Sequence, residues 1–248
     1  MNPGDEHITR NLHRFYTRIA ELSSYEHGVL SGFEYVWNRK GSWPSYLLGV
    51  SGPEKIPEVI RAIELGQAPP FCIIDKSRKE EMLLLEEHGI RSIREWTGML
   101  LESSRFNADL GMKDISGVEI RMNNREILDD WLVMVNTELM SGARIGQEVT
   151  ENLPCSDEFQ FAVAYFDGEP AGTGLSFREE GICGLYMIVT RGAMRGKGIG
   201  SLVTASLIDQ AVKLGDSEIV LHATDIGEHV YSRLGFREMN HLSVMWYL

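Results

Sequence analysis

The sequence predicts an α/β chain built twice over. Three observations carry this. Short apolar strands alternate with amphipathic helices along the chain. An Asp-Gly pair at Asp167-Gly168 joins two alternating runs as a hairpin. Two segments end alike. Residues 71–102 read as strand, helix, Gly89-Ile90-Arg91 and a final strand near 95–101, and residues 219–248 as strand, helix, Gly235-Phe236-Arg237 and a final strand. A shift of 146 places Gly89 on Gly235, Arg91 on Arg237 and Met99 on Met245, as a duplication would.

Of the first copy's elements, Phe71-Cys72-Ile73-Ile74 is the apolar strand and the helix runs over about 77–88. The polar, aperiodic segment Ser103–Gly111 reads as a linker. The expected units are therefore 1–105 and 114–248. In the second, Val118–Met122 is a strand. Asn124 caps a helix reaching about Met140, with Ile127, Trp131, Val135 and Leu139 on one stripe. A short helix is expected near 145–152. Phe159, Phe161, Val163 and Tyr165 alternate in a strand, and Ala171–Phe177 returns from the hairpin. Leu185–Thr190 is apolar enough for a sheet centre. A helix over about 199–214 puts Ile199, Leu202, Val203, Leu207, Ala211 and Leu214 on a broad apolar face, and Gly215 stops it.

Bulk properties exclude several classes. No run of about 18 apolar residues is present, so no membrane span is expected. Met1–Glu6 lacks the pattern of a secretory signal, and a cytoplasmic protein is expected. Cys72, Cys155 and Cys183 are isolated, which suggests neither a disulfide framework nor a zinc site, and the seven histidines show no metal-ligand spacing. Net charge is −12, and residues 114–180 hold 14 acidic against 4 basic side chains. Such a surface disfavours nucleic acid and anionic membranes. Asp129, Asp130, Glu148, Glu151, Asp157 and Glu158 belong to it, and they suggest a cationic acceptor if they rim a site.

The chemistry enters at Arg195-Gly196-Lys197-Gly198-Ile199-Gly200, between the buried strand and its helix. Free N–H groups at the helix start, the helix dipole and two cations favour an anion such as a diphosphate. Glycines let the backbone curl close to phosphate oxygens. The spacing fits neither the Walker pattern nor Gly-x-Gly-x-x-Gly.

Together with Tyr231-Ser232-Arg233-Leu234-Gly235-Phe236, this turn resembles the GCN5-related N-acetyltransferases (GNAT), whose members carry Arg-x-x-Gly-x-Gly and Tyr-x-x-Leu-Gly-Phe. The likeness is firm over 181–240 and consistent in topology from 117 to 248. Gly192 replaces a proline common before the arginine, and Thr224 stands where many members have asparagine. The resemblance implies a mixed, mostly antiparallel sheet flanked by helices. It implies acetyl-CoA as acyl donor and a small-molecule or peptide amine as acceptor, attacked directly. The diphosphate would lie on Arg195, Gly196, Lys197 and Gly198 and on the helix start Ile199, Gly200 and Ser201. The pantetheine arm would pair with Ile188, Val189 and Thr190, where one N–H polarises the thioester carbonyl. Tyr231 would protonate the departing sulfur. The base stays open between Glu179, Glu180, His222 and a water chain. A non-catalytic acyl-CoA sensor is the alternative, and transfer to oxygen or sulfur is a third reading.

The first unit lacks this equipment. Val50-Ser51-Gly52-Pro53 has one glycine and no arginine, Pro53 removes an N–H, and Leu85 stands where the shift puts Tyr231. A degenerate copy that shapes the acceptor pocket is expected, with Trp37, Trp43, Tyr46 and Trp96 as candidate lining.

Overall fold

The computed structural model describes residues 3–40, 43–140, 143–153 and 155–247. The first part of the chain runs α1 (Pro3–Ser23), β1 (Glu26–Leu30), β2 (Phe33–Trp37), β3 (Ser45–Leu48), α2 (Ile56–Glu64), β4 (Phe71–Asp75), α3 (Lys79–Glu87) and β5 (Ile90–Glu102). The second runs β6 (Val118–Met122), α4 (Leu128–Glu138), α5 (Gln147–Asn152), β7 (Phe159–Phe166), β8 (Glu169–Glu179), β9 (Ile182–Thr190), α6 (Ile199–Lys213), β10 (Glu218–Ala223), α7 (Asp225–Arg233) and β11 (Arg237–Tyr247). The link at 103–111 holds two short 3-10 turns.

The same succession occurs twice. β1, β2 and β3 pair antiparallel in turn, and β3 then pairs parallel with β4. β7, β8, β9 and β10 repeat that pattern. The final strands are exchanged. β5, from the first copy, pairs with β10 of the second, and β11 pairs with β4 of the first. β5 and β11 also pair with each other, antiparallel, at the centre. One eleven-stranded sheet results, in the order β1-β2-β3-β4-β11-β5-β10-β9-β8-β7-β6. No seam falls between the copies.

Both faces of the sheet are covered. Along β7, Phe159, Phe161 and Val163 point into the layer that holds Trp131 and Val135 of α4, while Ala162 and Ala164 point to Val203 and Leu207 of α6. Burial on both faces explains why that strand is apolar throughout. In the first copy Leu48 and Ile73 face α1, and Leu47, Cys72 and Ile74 face α2 and α3. The Asp167-Gly168 turn has positive φ at both residues, 50° and 85°, as a two-residue type I′ hairpin demands.

Three expectations shift. β5 starts at Ile90, not near 95, because β11 pairs along its whole length. Asn124 caps a 3-10 turn, accepting from the Glu126 N–H, before α4 begins at Leu128. α1 was not anticipated, although Ile8, Leu12, Phe15 and Ile19 have helical spacing and are buried. Phe15 stacks on Tyr186 of β9 with ring centroids 3.7 Å apart, which ties α1 to the second copy. No helix among the described residues is long and apolar enough to cross a membrane.

Candidate active site

β9 and β10 run parallel and pair from Ile182↔Glu218 to Leu185↔Leu221, and there the pairing ends. Beyond that point β10 stays on β5 as far as Ala223, while β9 stays on β8. The register of β8 and β9 slips between Thr173 and Leu175, and Met187 has φ 52°. This bulge bends β9 away from β10. The edge of β9 over Tyr186–Thr190 is left without a strand neighbour on the β10 side. Ile188, Val189 and Thr190 lie on this open stretch.

A 3-10 turn (Gly192–Met194) then leads into the glycine turn. Gly196 and Gly198 have φ 79° and 85°, a left-handed backbone that costs glycine nothing. Gly198 is the N-cap of α6, and no side chain caps the helix. The first-turn amides of Ile199, Gly200 and Ser201 are thus left for an outside acceptor. A Cβ placed on Gly196 would meet nothing within 4 Å, so the space over the turn is open. Glu138 of α4 steadies the approach by accepting from the Gly192 N–H at 3.0 Å and lying 3.7 Å from the Arg195 guanidinium. Arg195 donates to the Thr190 carbonyl at 3.3 Å, and the Lys197 ammonium sits 5.0 Å from the Phe166 ring centre. This donor set suits a diphosphate: amides, a guanidinium and an ammonium around open space.

A cavity of about 160 Å³ opens at the splay. Leu185, Tyr186, Met187 and Ile188 of β9 form one wall, with Leu221 and His222 of β10 facing them. Leu12 and Tyr16 of α1 close one side, and Tyr231 of α7 closes the other. The first copy supplies Trp43, Tyr46, Arg94 and Trp96. Trp37, the fourth expected tryptophan or tyrosine, is not among the lining residues; it stacks under the Arg39 guanidinium.

Two polar groups at this cavity stand out. Tyr231 lies across α7, close enough that a Cβ on Gly227 would come within 2.9 Å of its ring. Its hydroxyl has no hydrogen-bond partner among the described residues, and burial raises it to about 12, so it stays protonated. Both ring nitrogens of His222 are buried and unpartnered. Burial, with a smaller push from His13, lowers this imidazole to about 3, so it is held neutral, with a ring nitrogen free to accept a hydrogen bond. The other base candidates lie outside the cavity: Glu179 accepts from Arg14 at 2.7 Å and Glu180 pairs with Arg10 at 3.2 Å.

The corresponding turn of the first copy is filled from within. Gly52 has φ 88°, and its N–H donates to Glu81 Oε1 at 3.0 Å. Glu81 is a buried carboxylate on α3. An internal anion thus occupies the place that an outside phosphate would need.

Residues 134–244 match the family model of the acetyltransferase (GNAT) domain. This stretch, a little under half of the chain, is similar to GNAT domains. Solved structures extend the likeness of fold to nearly the whole chain. A GCN5-related N-acetyltransferase from Kribbella flavida is 15% identical, with a TM-score of 0.71 over 95% of each chain. A functionally unknown conserved protein from Staphylococcus epidermidis is 13% identical, with a TM-score of 0.62 over 90% of this chain and 94% of the other. A tandem GNAT protein from the clavulanic acid biosynthesis pathway is 13% identical, with a TM-score of 0.58 over 86% of this chain and 77% of its own. No curated protein matches the chain. The fold is that of GNAT proteins, a mostly antiparallel sheet flanked by helices.

Within this fold the cavity wall includes residues that sequence reading missed. Leu12 and Tyr16 required recognition of α1 as a helix. Leu139 and Met140 follow α4 and line the cavity from the end of its apolar stripe. Arg94 had no local signal, because its place is set by the exchange of β5 into the second copy. Several acidic residues of 114–180 are engaged elsewhere. Glu148 accepts from the Tyr25 hydroxyl, Asp130 from Tyr165 and Glu158 from Arg18, and no carboxylate lines the cavity among the described residues.

Proposed function

We propose that this protein transfers an acetyl group from acetyl-CoA to a small-molecule amine. The observation that carries the reading is the uncapped start of α6, with its left-handed glycines, beside the open edge of β9, whose Ile188 also lines the cavity. In the proposed reaction the thioester supplies the activated acyl group. The turn Arg195–Ser201 binds the diphosphate, and the edge Ile188–Thr190 holds the pantetheine arm as an added strand. His222, neutral and with two unengaged nitrogens, accepts a hydrogen bond from the attacking amine and orients it, and the amine proton leaves by way of solvent. Tyr231 donates its hydroxyl proton or a hydrogen bond to the departing sulfur. Positioning in the cavity, shielded by Tyr16, Trp43 and Trp96, supplies much of the rest.

The catalytic reading is favoured over that of a sensor by His222. A buried, unpaired imidazole costs about 1–3 kcal/mol of stability and adds nothing to acyl-CoA binding at the turn. The first copy, its turn closed by Glu81, serves as a wall of the acceptor site and binds no acyl-CoA. CoA release measured over an amine panel tests the reaction. Tyr231→Phe keeps the ring, so it should lower kcat by roughly 10- to 1,000-fold with little change in acetyl-CoA affinity. Wild-type kcat in that variant, where chemistry limits turnover, would remove Tyr231 from the mechanism.

A further inference from the structure

We infer that the acceptor is an amine carrying a carboxylate at the far end of a flat apolar body, and that Arg94 selects it. The inference rests on the acyl-transfer reading and names the substrate class of that same site. Its basis is a row of three residues. His222 pairs with Gly98 across β10 and β5. From Gly98 the pairing of β5 with β11 is regular through Trp96 to Arg94, so these alternate residues share one face. His222, Trp96 and Arg94 all line the cavity, and the rings of His222 and Trp96 are 6.0 Å apart between centroids. Gly98 and Arg94 are four residues apart, about 13 Å of strand at roughly 3.3 Å per residue. A neutral imidazole thus stands at one end of the row, an indole in the middle and a guanidinium at the other end.

Charge fixes the sign of the distal group. Arg94 is the one charged side chain among the described residues lining the cavity, since His222 is neutral there. It makes no ion pair or hydrogen bond among the described residues, although the chain carries 36 acidic side chains. Its neighbour Glu95 is held by Lys76 at 2.6 Å, and Asp225, in the outer groove that Arg94 also borders, sits in the first turn of α7. A second cation on the acceptor would meet Arg94 with no carboxylate to offset it. An apolar body meets Trp96 and the contacting rings of Tyr16, Trp43 and Tyr46, which share the lining. A carboxylate at the far end meets a planar fork of donors. Amine and carboxylate must be separated by about a ring, so an α-amino acid, with both groups on one carbon, fits the row poorly.

The test compares four acceptors built on one benzene ring with the full-length protein and acetyl-CoA: 4-(aminomethyl)benzoate, benzylamine, 1,4-bis(aminomethyl)benzene and phenylalanine. The expected order of kcat/KM puts 4-(aminomethyl)benzoate first, by roughly 10- to 100-fold over benzylamine, the range of a charge-assisted hydrogen bond. Arg94→Gln should erase that advantage, so that 4-(aminomethyl)benzoate and benzylamine react at similar kcat/KM; the side chain is exposed, so folding should survive. Binding of 4-(aminomethyl)benzoate by calorimetry, in wild type and variant, should show the same loss. Preference for the diamine or phenylalanine, or an advantage that persists in Arg94→Gln, overturns the inference while acyl transfer stands. Arg94-dependent binding without CoA release from any amine would support the anion contact and remove the transferase reading.

Discussion

His222 makes the stability of this protein depend on pH in a calculable way. The folded state holds the ring neutral down to about pH 3, whereas the ordinary value is 6.5. Between those values the unfolded chain binds a proton that the folded chain refuses. Stability from this source is therefore complete above pH 6.5 and is lost as pH falls toward 3. Each unit below 6.5 costs about 1.4 kcal/mol, so at pH 5 the loss is about 2 kcal/mol relative to neutral pH. Other groups titrate in the same range, so the assay needs a control that lacks only this imidazole. His222→Phe keeps a ring among the aromatic walls and cannot titrate. Urea denaturation followed by tryptophan fluorescence at pH 7.5 and 5.0 gives the free energy of each protein. The wild type should lose about 2 kcal/mol more than the variant over that interval. At pH 7.5 the variant should be at least as stable as wild type, because it removes two unpaired buried nitrogens. Parallel pH dependence in the two proteins would show that His222 is not held neutral, and would remove the reason for giving it the hydrogen bond from the amine.

Other outcomes are expected from the same structure. Gly198→Asp should abolish acetyl-CoA binding in calorimetry, because φ 85° strains any side chain and the new carboxylate faces the diphosphate; unchanged affinity would move the cofactor elsewhere. Titration of the whole chain should give one acetyl-CoA per molecule, since Glu81 fills the turn at Gly52; two sites would refute that. Asp216→Ala should destabilise the fold by about 3–5 kcal/mol, because Arg178 loses the carboxylate that holds both its Nε and Nη2. A urea midpoint equal to wild type would contradict this.

The sequence carried local information well and long-range information poorly. The glycine turn was legible because its chemistry is contained in six consecutive residues. The hairpin at Asp167-Gly168 and the face of α6 were legible because turn type and helical period are local properties. The cavity was not. Its walls come from α1, β5, β9, β10 and α7, and nothing local tells Arg94 that its strand lies against β10 rather than β4. Trp43, Tyr46 and Trp96 were anticipated as a group on size and aromaticity alone, and the same argument wrongly included Trp37. The repeated Gly89/Gly235 signal reported the duplication but was silent about which copy each final strand completes.

The exchange of β5 and β11 has a consequence for how this molecule persists. The first copy has lost its phosphate-binding turn, yet it cannot be discarded. Deleting it would strip β10 of its neighbour and expose a long row of unpaired amides and carbonyls through the middle of the molecule. It would also take away the strand that bears Trp96 and Arg94. The two copies are clasped like folded hands, so a break in the polypeptide at the 103–111 link should leave the halves bound together. Folding carries the corresponding burden. β5 is complete only when β10, more than a hundred residues later, arrives beside it, and such distant pairing is slow. Unfolding should proceed as one event rather than copy by copy.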